Sequence, residues 1–154
     1  MADSYVSTGT ETVTSSLTAV VWLIGLATIR ADIQEVKGSA NSAVANMLDE
    51  HMRWVLNRFT VAPTGGAMVP EPVDSDAPDP GLITGGQTAT VEGTITGDSE
   101  VIDDPVHVRS FLHWLSSASP FAIKLPAVAA AGMALRVQSF AYVNEALGRI
   151  VHFE

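Results

Sequence analysis

Cysteine is absent from the 154 residues. That absence excludes disulfide scaffolds, zinc–thiolate sites, iron–sulfur clusters and a cysteine nucleophile. Charge is scarce as well, at 16% Asp, Glu, Lys and Arg against the ~25% of an ordinary soluble domain. Basic residues are missing altogether between Arg58 and Arg109. That stretch holds nine acids: Glu71, Asp74, Asp76, Asp79, Glu92, Asp98, Glu100, Asp103 and Asp104. The formal net charge is −9, and the acidic middle carries all of it. Phosphate binding needs a clustered basic face, so nucleic acid is not an expected partner. Anionic membrane surfaces are disfavoured for the same reason.

Several catalytic signatures are also missing. The chain contains no G-x-S-x-G elbow, no P-loop, no G-x-G-x-x-G turn and no H-E-x-x-H helix. His107 and His113 stand six apart, which does not place them on one helix face, and His51 and His152 are distant in sequence. The run Asp74-Ser-Asp76-Ala-Pro-Asp79 lacks the spacing and closing Glu of a calcium loop. The acids of the middle stretch sit in Pro/Gly-rich surroundings, whereas acid–base catalysis needs a carboxyl held and desolvated. No catalytic residue, metal ligand or cofactor is assigned, and the expectation is a protein that is not an enzyme.

What is present is apolar residue, 47% of the chain, in a length that suits one domain with a real core. Three parts can be read: an N-terminal arm and long helix over 1–59, an acidic insert over 60–104, and a helical region over 105–154. Leu17, Val20, Val21, Ile24, Ala27, Ala31, Ile33, Val36, Ala40, Val44, Met47, Leu48, Val55 and Phe59 recur mostly at steps of three or four. That is the helical period, and Asp49 and Arg53 fit an i,i+4 ion pair. An unbroken helix of this length would run about 65–70 Å, so a break at Gly38 is expected. The insert holds five of eight prolines. Its residues 86–95 alternate in a way that suits a short β-ribbon. Asp104 and Pro105 read as N-cap and N1 of a further helix to about Ser117. A last helix is expected from Pro126 to Leu147, with a Glu145–Arg149 pair and Gly148 as C-cap. The fold class expected is therefore mainly α, a helical bundle with an acidic insert.

Residues 12–29 carry no charge, but the wholly apolar stretch is shorter than a membrane span. Asp3 and Glu11 stand where a signal peptide would be basic, so cytoplasmic synthesis is expected. The Ala/Gly density at Ala127, Ala131 and Gly132 suits close helix contacts. With Trp22, Ile24, Trp54, Leu135 and Phe140 these residues form the expected interface. The function expected is a non-enzymatic structural subunit that self-assembles through helix–helix contacts, such as a virion component. Its partners would be copies of itself and other subunits of a larger assembly. The alternatives are a small membrane-associated helical hairpin or pore-type protein, and an enzyme or ligand-binding domain whose site is assembled from scattered residues.

Overall fold

A computed structural model describes residues 3–41, 50–74, 76, 82–119 and 121–154. The described residues fold as two packed antiparallel sheets built from twelve strands. They are β1 (Ser4–Thr12), β2 (Thr18–Ile24), β3 (Asp32–Ala40), β4 (His51–Val61), β5 (Thr64–Met68), β6 (Glu71–Pro72), β7 (Thr84–Val91), β8 (Thr94–His107), β9 (Phe111–Leu115), β10 (Ile123–Lys124), β11 (Gly132–Gln138) and β12 (Glu145–Phe153). The sole helical element among the described residues is one 3-10 turn, Ser116–Ala118. The expected mainly α bundle is therefore wrong, and self-assembly through helix–helix contacts falls with it. The residues read as one long helix form β2, β3 and β4. Those read as the two later helices form the end of β8, β9, β11 and the start of β12. Val44, Met47, Leu48 and Asp49 lie outside the described residues, as does Asp79. No described helix is long and apolar enough to cross a membrane.

One sheet runs β6-β1-β12-β3, with β9 and β10 both on the far side of β3; the other runs β5-β7-β2-β11-β4-β8. Four pairings nest inside one another: β1 with β12, β2 with β11, β3 with β9, and β4 with β8. Such nesting is what a long hairpin produces when it wraps around a barrel axis. It gives the jelly roll, a double-sheet Greek-key sandwich. Residues 62–93 are an insertion between β4 and β8. It adds β5 and β7 to one sheet and β6 to the other, on the same side of the sandwich. Residues 86–91 thus lie in β7 and 94–95 open β8, with Glu92 and Gly93 connecting these two strands of the sandwich.

The main core lies between the sheets and includes Leu23, Ile33, Val36, Trp54, Leu56, Met133, Leu135 and Ile150. A smaller apolar cluster covers the outer face of the second sheet. There Trp22, Phe59, Ala19 and Ala134 are capped by Ala62, Ala89 and Ile95. β2, β4 and β11 are consequently buried on both faces. β2 and the central stretches Trp54–Leu56 of β4 and Met133–Leu135 of β11 are apolar runs rather than alternations, as expected of a doubly covered strand. Steps of three and four then arise by chance within such a run, which is why they read as a helix.

Two tryptophans are seated on glycines. The Trp54 ring lies against Gly38 of the facing sheet, and the Trp22 ring against Gly65 and Gly86. Gly38 is thus no helix break. It is the space that the indole occupies. Gly148, read as a C-cap, sits mid-strand opposite Gly38 and Gly9.

Candidate binding face

The first sheet alternates cleanly. On β12 the burial of Glu145–Phe153 switches at every residue, so Leu147, Arg149, Val151 and Phe153 point outward. β3 presents Glu35, Lys37 and Ser39 on the same face, β9 presents Phe111, His113 and Leu115, and β1 presents Val6 and Thr8. The register aligns these into rows. Phe111, Ser39 and Leu147 form one, and His113, Lys37, Arg149 and Thr8 the next. Leu115, Glu35, Val151 and Val6 form the third.

A hollow of about 400 Å³ opens on this face, within the range of ligand and peptide sites. Thr8, Lys37, Ser39 and Arg149 supply its polar lining, and Phe111 and Leu147 its apolar walls. Phe111 is 57% exposed. Beside it, Glu35 collects three partners. Oε1 lies 3.0 Å from Lys37 Nζ and 2.9 Å from His113 Nε2, and Oε2 lies 2.9 Å from Arg149 Nη2. Burial pushes the Glu35 carboxyl up, but Lys37 and Arg149 outweigh it and hold the group below its ordinary value. One carboxylate so orients two cations, and the cluster keeps a positive surplus in a chain of net charge −9. Single exposed pairs of this kind are worth little stability, about 0–1 kcal/mol. Their consequence here is positioning.

The other half of the face differs. β6 pairs with β1 so that Glu71 stands beside Val6. Val69 and Glu71 line a second, smaller hollow of about 200 Å³ with Val6 and Thr8. Val69 and Val73 are 59% and 62% exposed, and the Val73 N–H donates to the Ser4 carbonyl at 2.8 Å. This edge is apolar and acidic where the opposite edge is apolar and basic.

The residues expected at an interface do not form one surface. Trp54 and Leu135 lie between the sheets. Trp22 and Ile24 belong to the outer cluster. Gly132 is buried against the Phe59 ring. Ala131 is half-buried, and its carbonyl accepts the Gly25 N–H at 2.7 Å. Ala127 is exposed. Phe140 is 85% exposed, at the tip of the loop joining β11 to β12. The Ser139 Oγ holds this loop by donating to the His51 carbonyl at 3.0 Å.

The remaining polar groups lie apart. His51 and His107 face each other across β4 and β8, ring centroids 5.5 Å apart. Arg53 pairs with Asp103 at 2.7 Å and Glu100 at 3.2 Å, and its hydrogen bonds hold Asp103 below its ordinary value. Glu92 straps the outer cluster: its Oε1 accepts the Ala19 N–H at 2.7 Å, and its Oε2 lies 3.2 Å from Arg136 Nε. No group of three or more His, Asp or Glu able to hold a metal occurs among the described residues.

None of Lys37, Arg149, Glu35, Thr8 and Phe111 stood out in the sequence as a site. The signal that marks them is the two-residue period of Glu35-x-Lys37-x-Ser39, Phe111-x-His113-x-Leu115 and Leu147-x-Arg149-x-Val151.

The topology defines the class, a jelly-roll β-sandwich with an insertion between its fourth strand and that strand's hairpin partner. Comparison with protein families, curated proteins and solved structures finds no match to this chain.

Proposed function

We propose that this protein is a non-catalytic binding module, and that it docks acidic, apolar-flanked segments of other protein chains on the outer face of the first sheet. The jelly roll serves sugar binding and metal catalysis among other tasks, so the fold alone does not choose. The observation that carries the reading is the hollow where Lys37 and Arg149 lie in the row next to Phe111 and Leu147. Its two cations match a carboxylate, and its apolar wall matches an aliphatic neighbour of that carboxylate.

The remaining surface chemistry favours this over a sugar site. Sugar platforms stack on exposed Trp or Tyr, whereas Trp22, Trp54, Tyr5 and Tyr142 are buried, at 5% exposure or less, and the half-buried Trp114 packs against the core. The interior is filled by side chains such as Trp54, Leu135 and Met133, which leaves the outside of the sheet as the concave surface.

The test is a nuclear magnetic resonance titration with the extended peptide acetyl-Val-Pro-Glu-Pro-Val-amide, and with its Glu→Gln analogue. The expected result is shifts confined to Thr8, Lys37, Ser39, Phe111, Leu147 and Arg149, saturating at about millimolar peptide. The Gln analogue should bind several-fold more weakly. Absence of shifts at 10-fold higher peptide, or shifts elsewhere on the molecule, would refute the reading.

A further inference from the structure

The two halves of this face are complementary to each other, and we infer that the segment it docks is Val69–Asp74 of a second copy, exchanged reciprocally about a twofold axis. The inference rests on the binding-module reading and adds the identity of the partner.

Successive strands lie about 4.8 Å apart. Glu71 on β6 is therefore about 10 Å from Arg149 on β12, and about 15 Å from Lys37 on β3. Between them stand Val6, Thr8 and Val151, which carry no charge. Acid and base thus sit on opposite sides of a neutral strip on one face of the sheet. A rotation of 180° about an axis through that strip lays each acidic edge on the other copy's basic hollow. This is the self-complementarity that an isologous contact requires, with residue i meeting j and j meeting i.

The side chains match in detail. Val69, Glu71 and Val73 project at alternate positions of the segment. Along β12, Leu147 and Val151 flank Arg149 on the outer face. Apolar meets apolar on each side of an acid–base contact. Pro70 and Pro72 fix the segment in an extended form before it docks, which lowers the ordering cost. The Val73 N–H bond to Ser4 ties it to β1. In its own chain the segment is paired to β1, three strands from Lys37 on β3.

The contact is small. The face measures roughly 20 Å by 20 Å in plan, about half the ~800 Å² per partner of a standard interface. A transient dimer with a dissociation constant of tens of micromolar is expected, weakened by salt.

The experiment is sedimentation equilibrium of the full chain from 10 µM to 1 mM, in low and in 0.5 M salt, for the wild type and for Glu71→Lys and Glu71→Gln. Glu71 is exposed, so both variants are expected to fold, which far-UV circular dichroism checks. The mass should rise from 16.2 kDa and level at twice that value. Glu71→Lys should raise the dissociation constant at least about tenfold, and Glu71→Gln by less. Zero-length carbodiimide coupling of a mixed light and ¹⁵N-labelled sample should give a Glu71–Lys37 amide with one light and one heavy half. A mass fixed at 16.2 kDa at 1 mM, a mass rising beyond two copies, or indifference to both substitutions overturns the inference. If the peptide of the preceding section still shifts the Lys37–Arg149 hollow in that case, the binding face stands and only the reciprocal pairing fails. If neither occurs, both fall.

Discussion

Replacing Gly38 by Ala should destabilise the protein by about 3 kcal/mol, through overpacking against a buried ring. A methyl group at position 38 would lie 2.6 Å from Cδ2 of Trp54, and 2.7 Å from Cε2 and Cε3. Carbon atoms pack at about 3.5–4.0 Å, so roughly 1 Å of overlap must be relieved at three atoms. Neither side can retreat cheaply. Trp54 is completely buried, and β3 is paired on both sides at Gly38, to Gly148 and to Leu112. Among the described residues the Trp54 Nε1 has no hydrogen-bond partner, so the cost is one of packing. The sign is the informative part. In an unhindered helix or strand the same change gains about 0.5–1 kcal/mol by reducing backbone freedom. The assay is urea denaturation followed by far-UV circular dichroism, in the wild-type and Trp54→Phe backgrounds. With m unchanged, the midpoint shift reports stability. In the Trp54→Phe background, where the ring is smaller, Gly38→Ala should cost at most about 1 kcal/mol, a coupling of about 2 kcal/mol. A neutral or stabilising effect in the wild type, or equal effects in both backgrounds, would refute the packing of β3 against β4.

Two further expectations concern the end of β12. Burial holds the His152 imidazole below its ordinary value, against the opposing pull of Glu154. The unfolded chain therefore binds a proton that the folded one refuses, and stability should fall as pH drops below about 6.5. The midpoint of thermal unfolding should decline between pH 7.5 and 5.5, and His152→Gln should flatten that decline. Glu35 and Asp103, both lowered, withdraw their contributions only below their ordinary range, about pH 4. Glu154 also accepts the N–H groups of Leu82 and Ile83 at 2.6 and 2.8 Å. Glu154→Ala should cost about 2 kcal/mol, as for hydrogen bonds to a charged group. Hydrogen exchange at Leu82 and Ile83 should accelerate more than at Leu135. Equal acceleration at all three would mean that Glu154 does not pin the insertion.

Alternation was readable where one face of a strand meets solvent. β12 alternates perfectly, yet Glu145 and Arg149 also sit four apart, and a separation of four shares a face in a strand as well as on a helix. In the structure Arg149 pairs instead with Glu35, and Glu145 accepts from Asn41 at 3.1 Å. Asp104 and Pro105 resemble a helix start, but they lie on β8, an edge strand, where a missing N–H costs no ladder bond. Thr18–Ile24 offered no period of two because the insertion covers its outer side. No local pattern reports a cover contributed from sixty residues away.

By itself the sequence determined composition and its consequences. Lack of cysteine, the basic gap from residue 59 to 108, the apolar share that demands a core, and the prolines that keep the insertion from being helical are all properties of residues counted singly or with near neighbours. The tertiary structure decided the rest. Strand pairing joins residues as distant as Val6 and Val151, and its register sets which side chains share a face. Lys37, Phe111 and Arg149 are separated by more than thirty residues at each step, and only the order of β9, β3 and β12 brings them to one hollow. Gly38, which read as a helix break, is room for Trp54, because the ring that fills the space comes from another strand.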